Sequence, residues 1–136
     1  MSFQSTNSLL LKAFNKHFFE FIDDIIRICP EDNGINTSKE YLLTIKSANP
    51  TLILKIWYQF ICEPYNNEIT EGNLNFFFEK DYKHDLRMLS NSEEILKVID
   101  STIRDPLRNM NEENYDKCRK HFQLVSMICT KYIDQK

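Results

Sequence analysis

Three histidines, His17, His84 and His121, are the residues from which metal or general acid–base chemistry would have to start. Carboxylates stand near two of them in the chain, Glu20 and Asp24 beside His17, Asp81 and Asp85 beside His84. A di-iron centre in a helical bundle needs paired Glu-x-x-His motifs and two further glutamates, and no Glu-x-x-His occurs. No metal ligand and no cofactor is therefore expected. The four cysteines, Cys29, Cys62, Cys118 and Cys129, include no Cys-x-x-Cys pair of the kind that closes a zinc site, and they read as buried thiols. On one helix over 112–134, Cys118 and Cys129 would share a face but lie roughly 16 Å apart, too far to bridge.

The densest titratable patch is Glu79, Lys80, Asp81, Lys83, His84 and Asp85. A dispersed enzyme site around His84 is one reading of it, and a solvated charged loop is the plainer one. Neither a nucleophile elbow nor a cysteine-protease signature is present. The basic run Lys117, Arg119, Lys120 and His121 could contact phosphate, with Lys117, Arg119 and Lys120 as the candidate contacts, but a solvated helix face is the plainer reading. Phe78, Lys80, Tyr82 and Lys83 imitate an aromatic and cationic platform for single strands, but Glu79, Asp81 and Asp85 would repel the phosphates that the lysines attract.

Helices must position all of these groups. From Asn7 to Cys29, Leu10, Phe14, Phe18, Phe21, Ile25 and Ile28 recur at helical spacing, with Lys12, Lys16, Glu20, Asp23 and Arg27 opposite. Leu11, Phe19, Ile22 and Ile26 widen the apolar arc to roughly half the circumference, more than one neighbouring helix covers. Pro30 ends this helix, Glu31-Asp32-Asn33-Gly34 turns the chain, and Thr37-Ser38-Lys39-Glu40 forms a capping box for a second helix reaching about Ala48. Asn49-Pro50 starts a third, whose apolar run from Leu52 to Cys62 makes it the expected central helix, closed by Glu63-Pro64.

Between Tyr65 and Leu89 short helical turns are expected, with an end at Glu71-Gly72 and a restart at Asn73-Leu74-Asn75. Phe76, Phe77 and Phe78 cannot all face one side of a regular element. Ser90-Asn91-Ser92-Glu93 is a second capping box before Ile95, Leu96, Ile99 and Ile103, and Asp105-Pro106 kinks or restarts that helix. In the last segment Tyr115, Cys118, Phe122, Val125, Cys129 and Tyr132 form a seam of alternating threes and fours, too short for a free coiled coil and suited to a bundle.

Composition narrows the classes. The 136 residues fit one domain, with residues 1–6 as a flexible N-terminus. Aromatics at 12% and hydrophobics at 42% supply enough apolar surface for a packed core. Only two glycines, Gly34 and Gly72, exclude the glycine-rich phosphate loops and disfavour a many-stranded sheet. A net charge of −3 disfavours sequence-independent nucleic-acid binding. No apolar run reaches the 18 or so residues of a membrane span, and the N-terminus lacks the pattern of a signal peptide, so an intracellular protein without membrane insertion is expected.

Several runs also resemble a known family: Ser47-Ala48-Asn49-Pro50, Leu54-Lys55-Ile56-Trp57, Pro64-Tyr65, Lys80-Asp81-Tyr82 and Arg104-Asp105-Pro106-Leu107-Arg108-Asn109-Met110. From about Phe14 to the C-terminus the chain resembles a family of short proteins, without an assigned activity, in the nucleocytoplasmic large DNA (giant) viruses of algae and protists. The resemblance implies a viral product in host cytoplasm, at a viral factory or in the virion, and it carries no functional residue with it. Together these readings lead to an all-α, single-domain bundle of five to six helices. Its expected role is a non-enzymatic interaction module, a virion-associated or assembly component, with a protein partner or self-association through Phe19, Ile26, Phe76, Phe77 and Phe78. A nucleic-acid accessory protein and the small enzyme around His84 are the alternatives.

Overall fold

The structure, a computed structural model, describes residues 3–30, 33–79, 92–99 and 110–134. Helix α1 runs Phe3–Ile28 and α2 Asn33–Ala48; α3 (Leu52–Trp57), a π-helical turn (Tyr58–Cys62) and α4 (Glu63–Glu71) make one kinked rod. Three further helices follow: α5 (Leu74–Glu79), α6 (Ser92–Ile99) and α7 (Glu112–Asp134). The described residues thus form an all-α bundle of six rods.

The periodic stripes explain the packing. Phe14, Phe18, Phe21, Ile22 and Ile25 of α1 are buried, as are Cys118, Phe122, Val125, Ile128, Cys129 and Tyr132 of α7. These two long helices make the most extensive pairing, with the α3–α4 rod laid against both and α2 against α1 and α3. The third helix buries Ile53, Leu54 and Trp57, and the π-turn after it Ile61 and Cys62, against α1, α2 and α7. Aromatic rings tie the layers together, Trp57 and Phe122 at 4.9 Å, Phe77 and Phe122 at 4.7 Å, Phe18 and Trp57 at 5.8 Å. Each such pair adds roughly 0.5–1.5 kcal/mol beyond area burial.

Local signals set several boundaries. Asn49 Oδ1 accepts the Thr51 amide at 3.2 Å, and Asn15 of α1 reaches across to the Pro50 carbonyl at 3.1 Å. Asn73 and Asn111 cap α5 and α7, accepting the amides of Phe76 and Asn114. The Glu112 and Glu113 carboxylates and the late Lys131 complement the α7 dipole.

Three expectations need correction. The first helix starts at Phe3, so Phe3–Thr6 are helical. The second starts at Asn33, so Thr37 and Glu40 lie inside it and form no capping box there; Ile35, wholly buried, draws the preceding turn into the helix. Asn33 and Gly34 belong to that helix and not to a turn. The third helix ends beside Pro64 as expected, but only after a π-turn. The Glu63 amide bonds the Tyr58 carbonyl five residues back, which inserts one residue into the turn. Tyr65 (φ −129°, ψ 34°) absorbs the kink, and α4 continues to Glu71. Ser90, Asn91, Ile103 and the Asp105-Pro106 pair lie outside the described residues.

Gly72 ends α4 as expected. At φ +73° its own amide bonds the Ile69 carbonyl and the Asn73 amide bonds that of Glu68, a Schellman arrangement. A Cβ there would stand 2.7 Å from Arg119 Cδ. Gly72→Ala is expected to cost about 1–2 kcal/mol through the left-handed backbone alone. Thermal unfolding followed by circular dichroism checks this; an unchanged midpoint would show that the turn tolerates another conformation.

Candidate functional site

The π-turn shifts the register of everything after it and brings Cys62 against α7. There the Cys129 thiol exerts the largest influence on the acidity of Cys62. Cys129 Sγ also lies 3.3 Å from the Leu54 carbonyl, and Cys62 Sγ 3.8 Å from the Ser126 carbonyl. Ser126 accepts the indole N–H of Trp57 at 2.9 Å, which leaves its own hydroxyl proton for the Cys62 sulfur. The Cys129 thiol, aided by the Ser126 and Thr130 hydroxyls, holds the Cys62 thiol below its ordinary value against the opposing effect of burial. Cys62 and its own burial push Cys129 well up.

A groove with a volume of about 310 Å³ lies between α4 and α7. Its floor is formed by the buried Ile69 and Ser126, and its sides by Asn66, Thr70, Met127, Thr130 and Lys131. Gln123 ties the two helices together, donating to the Ile69 carbonyl at 2.9 Å. Met127 is 49% exposed, a large apolar side chain left beside hydroxyls, amides and one cation.

A second polar cluster sits where α1 meets α7. Asp24 accepts hydrogen bonds from both His121 and Arg27, and the Phe21 ring stacks on the His121 ring at 5.6 Å. Burial raises the Asp24 carboxyl, but the hydrogen bonds and charges of His121 and Arg27 together outweigh it and leave it below its usual value. The Cys118 thiol nearby is pushed up to about 12 by burial, by the Asp24 charge and by Cys29. It therefore stays protonated and unreactive at neutral pH. His17 takes Glu20 at 2.9 Å, whereas Asp24, a neighbour of His17 in the chain, turns to His121. Among the described residues no three His, Cys, Asp or Glu side chains converge as a metal site.

The residues proposed as an interface divide. Phe19 is buried, with Lys46 of α2 above its ring, and Phe77 is wholly enclosed among Tyr65, Phe76 and Phe122. Both belong to the core and offer no surface, and the wide apolar arc of α1 is met from within the chain by α7, α2 and α3. Ile26 and Phe76 are half-buried against that core, and the Phe78 side chain lies outside the described residues. Of the basic run, Lys117 and Lys120 are exposed, Arg119 is paired with Asp116 at 2.6 Å, and His121 is turned inward to Asp24. Glu79 is exposed, and the rest of its charged patch, His84 included, lies outside the described residues.

Sequence spacing missed both clusters and the groove. The Asp24–His121 contact spans 97 positions, and Cys62 and Cys129 come from different helices, so no local pattern pairs them. Met127 carried the one usable signal, a large apolar residue off the α7 seam. Among the described residues no helix is long and apolar enough to cross a membrane. No protein-family model, curated protein or solved structure matches the chain.

Proposed function

We propose that the chain is a non-catalytic protein-interaction module, a virion-associated or assembly component of a large DNA virus, acting at the viral factory or in the particle. The viral setting rests on the family resemblance of the sequence runs named above. The observation that carries the interaction reading is the α4–α7 groove, where Met127 stands exposed beside hydroxyl and amide groups able to bond a partner's backbone. Apolar anchors ringed by hydrogen-bonding groups are the usual anatomy of a protein contact.

A photo-crosslinking residue placed at Met127 tests it in infected cells, with the same residue at exposed Lys16 of α1 as the control. Discrete adducts at 127 and none at 16 are expected, reduced about tenfold by Thr70→Glu, the equivalent of roughly 1.4 kcal/mol. An adduct of twice the chain mass would identify self-association as the form the module takes. Equal labelling at both positions, or none at 127, would overturn the proposal.

A further inference from the structure

Helix α7 has two faces. Its inner seam, Val125 and Cys129 included, is buried, and Met127 stands on the opposite side of the helix, exposed. With 3.6 residues per turn, Lys120, Met127 and Asp134 fall within about 20° of one line along the outer face. Leu124 and Lys131 complete a second seam of alternating fours and threes. Lys120, Lys131 and Asp134 are exposed and Leu124 is half-buried. Among the described residues neither Lys120 nor Asp134 belongs to an ion pair.

The order of the charges identifies what covers this face. Lys120 and Asp134 stand at equal distances on either side of Met127 and carry opposite charge. A two-fold axis through Met127 therefore sets Lys120 against Asp134 of a second copy at one end, and Asp134 against Lys120 of that copy at the other. The same rotation sets Lys131 against Gln123. The Gln123 amide nitrogen is already committed to the Ile69 carbonyl, which leaves the amide oxygen to accept from the lysine. A parallel pairing would instead put Lys120 on Lys120 and Lys131 on Lys131, which like charges oppose.

We propose that the outer face of α7 is a self-association surface, on which two copies of the chain pair antiparallel along 120–134 around a two-fold axis through Met127. The proposal rests on the interaction reading of the α4–α7 groove and names the partner there as a second copy of this chain. Two flexible thioether side chains fill the centre, and charge pairs close both ends. Asn66 and Thr70 of α4, on the far wall of the groove, flank the contact with an amide and a hydroxyl.

Sedimentation of the purified full-length chain over a concentration series at low salt tests this outside the infected cell. A reversible equilibrium between monomer and dimer is expected. Lys120→Glu and Asp134→Lys should each weaken the dimer roughly tenfold, since the symmetry sets like charges together at both ends, and the double variant should return to within about threefold of the wild type. Both side chains are exposed, so helix content by circular dichroism should not change. On mild oxidation Met127→Cys should give a dimer linked from 127 to 127. Lys120→Cys should give no 120 to 120 link, because those positions lie roughly 20 Å apart in the antiparallel pair. A chain that stays monomeric up to about 1 mM, a dimer indifferent to the charge reversals, a double variant no tighter than the single ones, or a 120 to 120 link would each overturn the proposal. A monomeric purified chain whose position 127 crosslinks to a different protein in infected cells would overturn self-association and leave the interaction reading standing. A dimer that meets every test in solution, with no adduct at 127 in cells, would sustain the pairing and overturn that reading.

Discussion

Phe122→Ala is expected to lower the unfolding free energy by about 4 kcal/mol, the range for truncating an enclosed aromatic side chain. Phe122 lies on α7 and is wholly buried, and its ring meets Phe21 of α1 at 6.4 Å, Trp57 of α3 at 4.9 Å and Phe77 of α5 at 4.7 Å. One side chain therefore joins four helices, and deleting it opens a void that no single neighbour can fill. The lost transfer energy and the cavity both count, with the ring contacts adding to them. For a chain of this length the midpoint should fall on the order of 15 °C. Thermal and urea unfolding measure it, with Phe76→Ala as the half-buried comparison, expected to cost about half as much. A loss below about 1.5 kcal/mol for Phe122→Ala would mean that the surrounding helices collapse into the space.

The legible part of this fold is the part set by residues three and four apart. Of the α1 stripe Phe14, Phe18, Phe21 and Ile25 are buried and Leu10 and Ile28 half-buried; of the α7 seam Cys118, Phe122, Val125, Cys129 and Tyr132 are buried and Tyr115 half-buried. Gly72 was legible for a related reason, since a left-handed helix end selects glycine at one position. The capping box at Thr37 misled because its local chemistry is sound while the burial of Ile35, a tertiary effect, extends the helix past it. Pro64 was legible as a helix end, since the backbone leaves helical geometry at Tyr65, the residue after it; the π-turn before it was not. The excess apolar arc of α1 was correctly seen, but amphipathicity cannot say whether the covering surface is another molecule or, as for Phe19 under Lys46, the chain's own second helix. Both polar clusters depend on pairings between distant helices, to which periodicity is blind.

Asp24→Ala should cost about 2–3 kcal/mol at neutral pH, because it leaves the largely buried His121 without its acceptor and removes the carboxylate that holds Arg27. The effect has a pH signature. Folding favours the ionised carboxyl of Asp24, whose value lies below the ordinary one. Its contribution is therefore fully present above the unfolded value of about 4 and is lost as the pH falls through the lower native value. Asp24→Asn keeps the shape and one acceptor oxygen but cannot ionise, so its stability should trail the wild type at neutral pH and approach it in acid. Urea titrations of both proteins between neutral pH and about pH 3 measure the difference. A gap that stayed constant or widened in acid would show that Asp24 works at the α1–α7 junction by shape alone and that its charge contributes nothing there.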